Sequence, residues 1–315
     1  MHFLVERPVV FLVGPTAVGK TALALALALE LDAEIISADS RLFYRGMDIG
    51  TAKPTVEEMR RVPHHLVDVA DPWENWSLAL FQREAKDIIE RLHEHGKLPL
   101  VVGGTGQYVR ALTEGWQVPA QQPQPALRQT LEHWAVEVGA QGLHDRLAVL
   151  DPDAAQSIDA RNQRRTLRAL EVILMSGQRF SRQRTRQPHG YHLKMIGLRR
   201  ARVDLYARVD ARIEAMLADG LVQEVRGLLE SGCGPDLPSV SAIGYGEICR
   251  YLQGELSLEE ALMLIKRRTR QFVRRQANWF KESDPAILWF DIQPGVEAAV
   301  RDYILSETGW QFDGD

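Results

Sequence analysis

Short unbroken apolar runs alternate along the chain with longer stretches of helical character, and that alternation predicts the architecture. Val9 to Val13 is wholly apolar, as a strand in a parallel sheet covered on both faces should be. Thr21 to Leu31, rich in Ala and Leu, predicts a helix. Glu34 to Ser37 predicts a second strand, with Asp39 just past its carboxyl end. From Ser77 an amphipathic pattern runs to a stop at Gly96. The strand Leu98 to Val102 follows and enters the glycine turn Gly103-Gly104-Thr105-Gly106. Strand and helix in turn imply an α/β fold: an open parallel sheet flanked by helices, with ligands outside the carboxyl ends of the strands. The loop after Val13, Asp39 and the Gly103 turn then share one rim.

The pattern changes near Gly115. "GWQVPAQQPQPALRQ" is a proline- and glutamine-rich connector. Beyond it the sequence predicts helices at Pro125 to Val138, Leu143 to Leu150, Asp153 to Ile158 and Arg161 to Met175, and no strand until about Gln187. In the last helix Leu167, Leu170 and Leu174 recur at helical spacing while Arg161, Arg164, Arg165 and Arg168 project elsewhere. "YHLKMIGLRR" reads as a strand returning to the sheet. Helices follow at Val203 to Leu217, Leu221 to Ser231, Tyr245 to Gln253 and Ser257 to Lys281, and Ile287 to Asp291 is a last strand. The expected division is an α/β core over 1–116 and 190–315, interrupted by an all-helical insert at 117–189, with no internal repeat.

Composition changes this picture in one respect. The chain has 315 residues and a formal charge of −4, so no global excess points to nucleic acid. Yet Arg161, Arg164, Arg165, Arg168, Arg179, Arg182, Arg184, Arg186, Lys194, Arg199 and Arg200 face a single acid, Glu171, between 161 and 200. A second basic run holds Lys266, Arg267, Arg268, Arg270, Arg274, Arg275 and Lys281. Two such runs beside a phosphate loop are the footprint of a polyanion site; either alone would read as a solvated helix face. Two cysteines, Cys233 and Cys249, exclude a disulfide framework or four-thiolate zinc site and fit a reducing compartment. The opening "MHFLVERPVVFLVG" reads as an entering strand, not a signal peptide, and no segment has the length of a membrane span. A cytoplasmic protein is expected.

The strongest chemical signal is Gly14-Pro15-Thr16-Ala17-Val18-Gly19-Lys20-Thr21, which fits G-x-x-x-x-G-K-[ST] between a strand and a helix. Its glycines let backbone N–H groups curl around phosphate oxygens, and the helix N-terminus adds partial positive charge. Lys20 supplies a point charge and Thr21 offers a hydroxyl to Mg²⁺. The loop certifies only a ligand with a di- or triphosphate, not its hydrolysis. The usual companions are weak: the strand to Val102 ends in glycine, not aspartate, and Asp39 is the one well-placed carboxylate. It suits either metal binding through water or acceptance of a proton. His64 and His65 are adjacent on a predicted strand and so point to opposite faces, which argues against a shared metal.

"GPTAVGKT", "EIISADSRLFYRGMDIGTAKP", "VPHHLVDVADPWENWSLALF", "LPLVVGGTGQYVRAL", "RRTLRALEV", "AIGYGEICRYLQGELSLEEA" and "RRTRQFVRRQANWFK" together resemble the tRNA dimethylallyltransferases, or tRNA isopentenyltransferases, along nearly the whole chain. The resemblance implies a phosphate loop holding dimethylallyl diphosphate, whose prenyl group passes to the exocyclic amine of the adenosine just 3′ of the anticodon. Asp39 would take the amine's proton, Lys20 would neutralise the leaving diphosphate with Mg²⁺ near Thr21, and Thr105 would sit by the adenine. Arg212 would clamp the diphosphate, with Arg208, one helical turn earlier, the other claimant. Stretches aligned with tRNA contacts are Asp39, Ser40, Arg41 and Leu42; Gln163, Arg164, Arg165, Thr166 and Leu167; and Gly244, Tyr245, Gly246, Glu247, Ile248 and Cys249. Arg128 is a further contact. The partner implied is the tRNA anticodon stem-loop, gripped by the insert, its target base extruded into a pocket; a monomer is expected. Phe43 and Gly246 depart from the family pattern, and a zinc-finger tail like that of eukaryotic members is lacking, so a compact bacterial-type enzyme is implied. "RRQANWF" is expected to grip RNA backbone, with Trp279 and Phe280 in the core.

Three other readings compete. An adenylate isopentenyltransferase shares the core but needs no anticodon grip, against the Arg-rich helix at 161–175. A small-molecule kinase would consume ATP at the same loop. A phosphate-loop RNA-binding module would have no use for Asp39.

Overall fold

The computed structural model describes residues 7–117, 124–183, 186–187 and 190–311. Glu6, connector residues 118–123 and Arg184 lie outside them. The described strands are β1 (Pro8–Val13), β2 (Ala33–Ser37), β3 (His64–His65), β4 (Leu98–Gly103), β5 (His192–Arg199) and β6 (Ile287–Asp291). They form one sheet in the order β3-β2-β4-β1-β5-β6, with every pair parallel. Chain contacts divide the molecule into two compact units, Met1–Thr113 with Gly190–Asp315, and Glu114–His189.

In the first unit, the period-2 geometry of a strand sorts β1 between two cores. Val10 and Leu12 join a cluster with Leu23 and Leu27 of α1 (Lys20–Glu30). Val9, Phe11 and Val13 join the other, with Phe81, Ile88 and Ile89 of α3 (Leu78–Glu94) and Val109 of α4 (Gly106–Thr113). A strand buried on both faces has no place for polar residues, which is why the run is uniformly apolar. The first cluster also takes Leu205, Val209 and Ile213 of α8 (Arg202–Ala218), Leu221 and Val225 of α9 (Leu221–Glu230), Tyr245 and Ile248 of α10 (Tyr245–Leu252), and Ala261, Ile265 and Val273 of α11 (Leu258–Trp279). Ser257 and Glu260 close a reciprocal capping box at the start of α11.

Three helices of this unit, α2 (Val56–Arg61), α4 and α12 (Val296–Thr308), were not foreseen. β3, the strand expected at His64 and His65, is two residues long and paired with Ile35 and Ile36. α2 buries no residue and is held by a Thr55–Glu58 capping box. α12 buries Val296, Val300 and Ile304 at a spacing of four, legible in retrospect.

In the second unit, α5 (Pro125–Leu150) is one helix in outline but breaks at Gly139, where φ is 70° and ψ 175°. The two helices expected on either side of that glycine therefore correspond to its two halves. α6 (Pro152–Ser157) and α7 (Gln163–Ser176) follow, and Leu131, Leu143, Leu147, Leu167 and Leu170 share a small core. Leu174, expected on the apolar stripe, is instead half exposed, and Ile173 takes that side of the helix. The fully buried Asp151 caps α6 through Ala154 N (3.1 Å) and also accepts from Ser181 N (2.8 Å) and Oγ (2.7 Å).

Candidate active site

The carboxyl ends of β1, β2 and β4 meet at one rim. After β1 the chain turns through Gly14 to Thr21. Gly14 has φ 149°, and a Cβ there would stand 2.7 Å from the Leu198 carbonyl of neighbouring β5, so only glycine lets the loop leave the sheet so closely. Ala17 carries a left-handed φ of 66°, a strained conformation for a residue with a Cβ, and Arg208 Nε bonds its carbonyl at 2.8 Å. Lys20 opens α1 and its ammonium donates to the carbonyls of Gly14 and Pro15, 2.9 Å each. Burial lowers the Lys20 pKa to about 8, against the carboxylate of Asp39, which raises it, and with the Arg212 guanidinium, which lowers it further. Those three charges therefore occupy one site.

β2 and β4 bring in the rest. Ala38 N donates to Val102 O (2.8 Å) and Thr105 N to Ala38 O (3.3 Å), so the two strand ends are stitched together. Gly103 permits this approach, since a Cβ would lie 2.4 Å from Ala38 O. Ser40 N donates to Thr105 Oγ1 (3.2 Å), and Arg41 N to Asp39 Oδ1 (3.0 Å), which fixes the Asp39 side chain in a turn of its own. Thr105 keeps its hydroxyl proton for another acceptor. The half-buried Asp39 also bears on Tyr108, whose phenol burial holds well above its ordinary pKa.

The two arginine candidates on α8 separate clearly. Arg208 is exposed and braces the loop from outside through Ala17 O. Arg212 is half-buried, and burial lowers its pKa against the opposing pull of Asp39. It accordingly faces the inside of the site, beside Asp39.

One residue that sequence reasoning passed over also reaches the rim. Gln276 of α11 is 4% exposed; its Oε1 accepts from Thr16 N (2.8 Å) and its Nε2 donates to Gly104 O (3.1 Å). The signal existed: Ile265, Val273, Gln276 and Phe280 share the buried stripe of the helix, and a glutamine there needs partners.

Among the described residues, no group of three or more His, Cys, Asp or Glu could hold a metal ion. Thr21 stands exposed in the first turn of α1. One hydroxyl, completed by phosphate oxygens and water, matches the shell Mg²⁺ adopts with phosphate ligands, so the residues present fit an ion that arrives with the diphosphate. His64 bonds Val62 O (2.8 Å) and His65 bonds Glu34 (2.6 Å), each in a structural contact.

The residues aligned with RNA contacts fall into three groups. Asp39, Ser40, Arg41 and Leu42 are partly exposed at the rim, and Arg41 Nη1 also donates to Pro238 O (2.9 Å). In the second unit Arg164 and Arg165 are exposed and Gln163 half-buried, whereas Thr166 and Leu167 are buried in that unit's core. Arg128 pairs with Glu132 (2.8 Å) and lies 3.7 Å from the fully buried Glu171, which Arg168 also bonds (3.0 Å). In the third group Gly244, Tyr245, Glu247, Ile248 and Cys249 are all buried, leaving the backbone at Gly246 as the partly exposed member. The Tyr245 hydroxyl bonds Glu224 (2.6 Å), and Glu247 holds Gly244 N (2.9 Å) and Arg268 (2.7 Å). Glu224 in turn accepts from the amides of Asp48 (2.9 Å), Ile49 (2.7 Å) and Gly50 (3.2 Å). "DIGTAKP" is thus a knot tied to α9 and α10, with Lys53 buried between Asp48 and Asp68.

The second basic run is less free than its sequence implies. Lys266 pairs with Glu214, Arg268 with Glu247 and Arg270 with Asp210, while Arg274 and Arg275 are exposed. Phe280 is buried, as expected; Trp279 is 37% exposed but is seated on Gly106, where a Cβ would lie 2.2 Å from its ring. Of the two departures from the family pattern, Phe43 is fully buried and stacks on Tyr108 (5.8 Å between centroids). Gly246 has no contact that forbids a side chain.

Comparison with known proteins gives consistent matches along the chain. The family model described as IPP transferase matches residues 42–283, and that described as isopentenyl transferase matches residues 8–68. A tRNA dimethylallyltransferase of Thermomicrobium roseum is 48% identical over 300 residues, covering 95% of this chain and 91% of its own. Its counterpart in Roseiflexus castenholzii is 53% identical over 274 residues, covering 87% and 90%. Among solved structures, the full-length tRNA isopentenylpyrophosphate transferase of Bacillus halodurans superposes with a TM-score of 0.72 at 41% identity, covering 96% of this chain and 97% of that one. A eukaryotic dimethylallyltransferase acting on tRNA superposes at 0.80 with 25% identity, covering 98% and 81%.

Proposed function

The chain belongs to the tRNA dimethylallyltransferase family, and on that premise we propose how its rim carries out prenyl transfer to tRNA. The donor is dimethylallyl diphosphate and the acceptor is the exocyclic N6 amine of the adenosine just 3′ of the anticodon. The observation that carries this reading is the convergence of Lys20, Asp39 and Arg212, with the Asp39 carboxylate favouring the charged form of both cations, beside Thr105 at the ends of β1, β2 and β4.

The amine's lone pair is delocalised into the purine, so it attacks weakly and must lose a proton as its bond to carbon forms. Asp39 takes that proton. Its turn, fixed by Arg41 N, occupies one oxygen and leaves the other for the amine. Thr105 donates its hydroxyl proton to the purine edge and holds the ring in register. As the N–C bond forms, the allylic C–O bond breaks and its electron pair leaves with the diphosphate. Amides at the start of α1 and Arg212 stabilise that developing charge, joined by Lys20 once it has turned to the phosphate. Bound Mg²⁺ at Thr21 would add electrostatic neutralisation of the same oxygens.

Lys20 must turn from the carbonyls of Gly14 and Pro15 to the phosphate, and the incoming anion restores the charge that burial weakens. Arg164, Arg165 and Arg128 supply the second unit's grip on the anticodon stem-loop backbone. A free adenylate acceptor is not favoured, because the relatives matched along most of their length act on tRNA. The test is incubation of purified protein with dimethylallyl diphosphate, Mg²⁺ and unmodified tRNA, followed by mass analysis of the digested nucleosides. Prenylated adenosine is expected in the tRNA; a parallel incubation in which free AMP is prenylated while the tRNA stays unmodified would overturn the reading.

A further inference from the structure

We propose that Gln276 is a positioning residue that sets the distance between the donor cradle and the adenine-holding turn; this rests on the assignment of those two elements under Proposed function. Its amide spans a gap in the rim that the sheet itself does not close. β1 and β4 are hydrogen-bonded partners up to Val13 and Gly103, but past those residues the two loops diverge and backbone pairing ends. Gln276 then bonds one loop on each side, Thr16 N through Oε1 and Gly104 O through Nε2. The next residue after Gly104 is Thr105, tied through Ser40 to the Asp39 turn. A continuous chain of short contacts thus runs from the phosphate loop to the proton acceptor, with one side chain as its middle link.

The local packing is built around that link. A Cβ on Gly104 would fall 2.2 Å from Gln276 Nε2, so the turn has no side chain where the amide sits. On α11, Val273 packs in the core on one sheet face and Phe280 in the core on the other, so Gln276 lies where the helix crosses from one to the other. Its neighbours Arg274 and Arg275 are exposed. A glutamine serves here because the link needs one acceptor and one donor at the same end of one side chain. An alanine would leave a buried N–H and a buried carbonyl without partners and let the two loops drift.

Misplacement of reacting groups by about 1 Å can cost on the order of 10²-fold in rate, so Gln276→Ala should lower kcat by roughly 10- to 100-fold. The tRNA KM should stay within about threefold, because no contact of Gln276 is with a basic face. The decisive variant is Gln276→Glu, which has the same shape. Its protonated carboxyl reproduces both contacts, whereas its carboxylate loses the donor and faces the Gly104 carbonyl. Burial beside that carbonyl and a diphosphate raises its pKa above the usual value of about 4.3. The ratio of variant to wild-type kcat should therefore climb as pH falls from about 8 to about 5.5. A merely structural role would leave that ratio flat. Gln276→Asn, one methylene short, should resemble the alanine variant. Should Gln276→Ala fail to fold, the isosteric glutamate still delivers the test. A flat ratio, or an alanine variant with wild-type kcat, overturns the inference while wild-type activity leaves the underlying function standing; an inactive wild type would sink the function itself.

Discussion

Replacing Asp39 by Asn removes a charge and a proton acceptor while keeping the turn. The amide oxygen can still accept from Arg41 N, now 3.0 Å from Oδ1, so the loop to Ser40 and Thr105 should hold its place. What disappears is the base. General-base catalysis contributes about 10²–10⁴-fold, equivalent to about 2.7–5.5 kcal/mol at about 1.36 kcal/mol per tenfold, and the turnover of Asp39→Asn should fall by that factor. A second effect follows from the charge. Asp39 raises the Lys20 pKa against burial, and the balance stands at about 8. In the wild type, donor affinity should therefore weaken as pH rises through about 8 and Lys20 loses its proton. Without Asp39 the Lys20 pKa falls further, so the weakening should begin at lower pH in the variant. Single-turnover rates at saturating donor and tRNA report the first effect, and donor affinity measured across pH reports the second. tRNA affinity should be nearly unchanged. A variant with wild-type turnover, or one whose donor affinity keeps the wild-type pH dependence, would refute the assigned role.

The two arginines of α8 should separate in the same assays: Arg212→Ala should raise donor KM and lower kcat by on the order of 10²-fold, and Arg208→Ala, which loses one loop-bracing bond, by about tenfold or less. Each of Arg164→Ala and Arg165→Ala should flatten the slope of log affinity for tRNA against log salt by about 1, and an unchanged slope would return both to a solvated face. Lys53→Ala should cost about 1–3 kcal/mol in a denaturant melt, since it strands two carboxylates and the Tyr44 carbonyl that Lys53 now serves. Asp151→Ala should destabilise the second unit by about 2–4 kcal/mol, seen as a lower melting step, through loss of a helix cap and two Ser181 bonds.

Much of the core was legible because its signals are local. An apolar strand, a glycine-rich turn and an alanine-leucine helix in immediate succession leave few options for residues 9–31, and the structure follows them closely. The adjacency of Asp39, Thr105 and the phosphate loop followed from one rule about strand ends. The choice between Arg208 and Arg212 did not, because both lie one turn apart on the same helix and only the neighbours across the site separate them. Glu224 reaching back to the amides of Asp48 to Gly50 spans some 175 residues, beyond any window of sequence pattern. The same contact explains why Tyr245 and its buried neighbours, matched by motif to RNA contacts, point into the core: motif similarity registers a constraint without saying whether a partner or the fold imposes it. Gln276 was hidden by its company, one neutral residue amid arginines, though its phase on the helix already marked it as buried.

The most direct measurement is a crystal structure with a non-hydrolysable dimethylallyl diphosphate analogue and an anticodon stem-loop RNA. It should show phosphate oxygens on the loop amides at the start of α1, Lys20 turned away from Gly14 and Pro15, and the adenine N6 within hydrogen-bond reach of Asp39. Analogue bound anywhere but the loop, or an adenine whose amine lies out of reach of Asp39, would contradict the account.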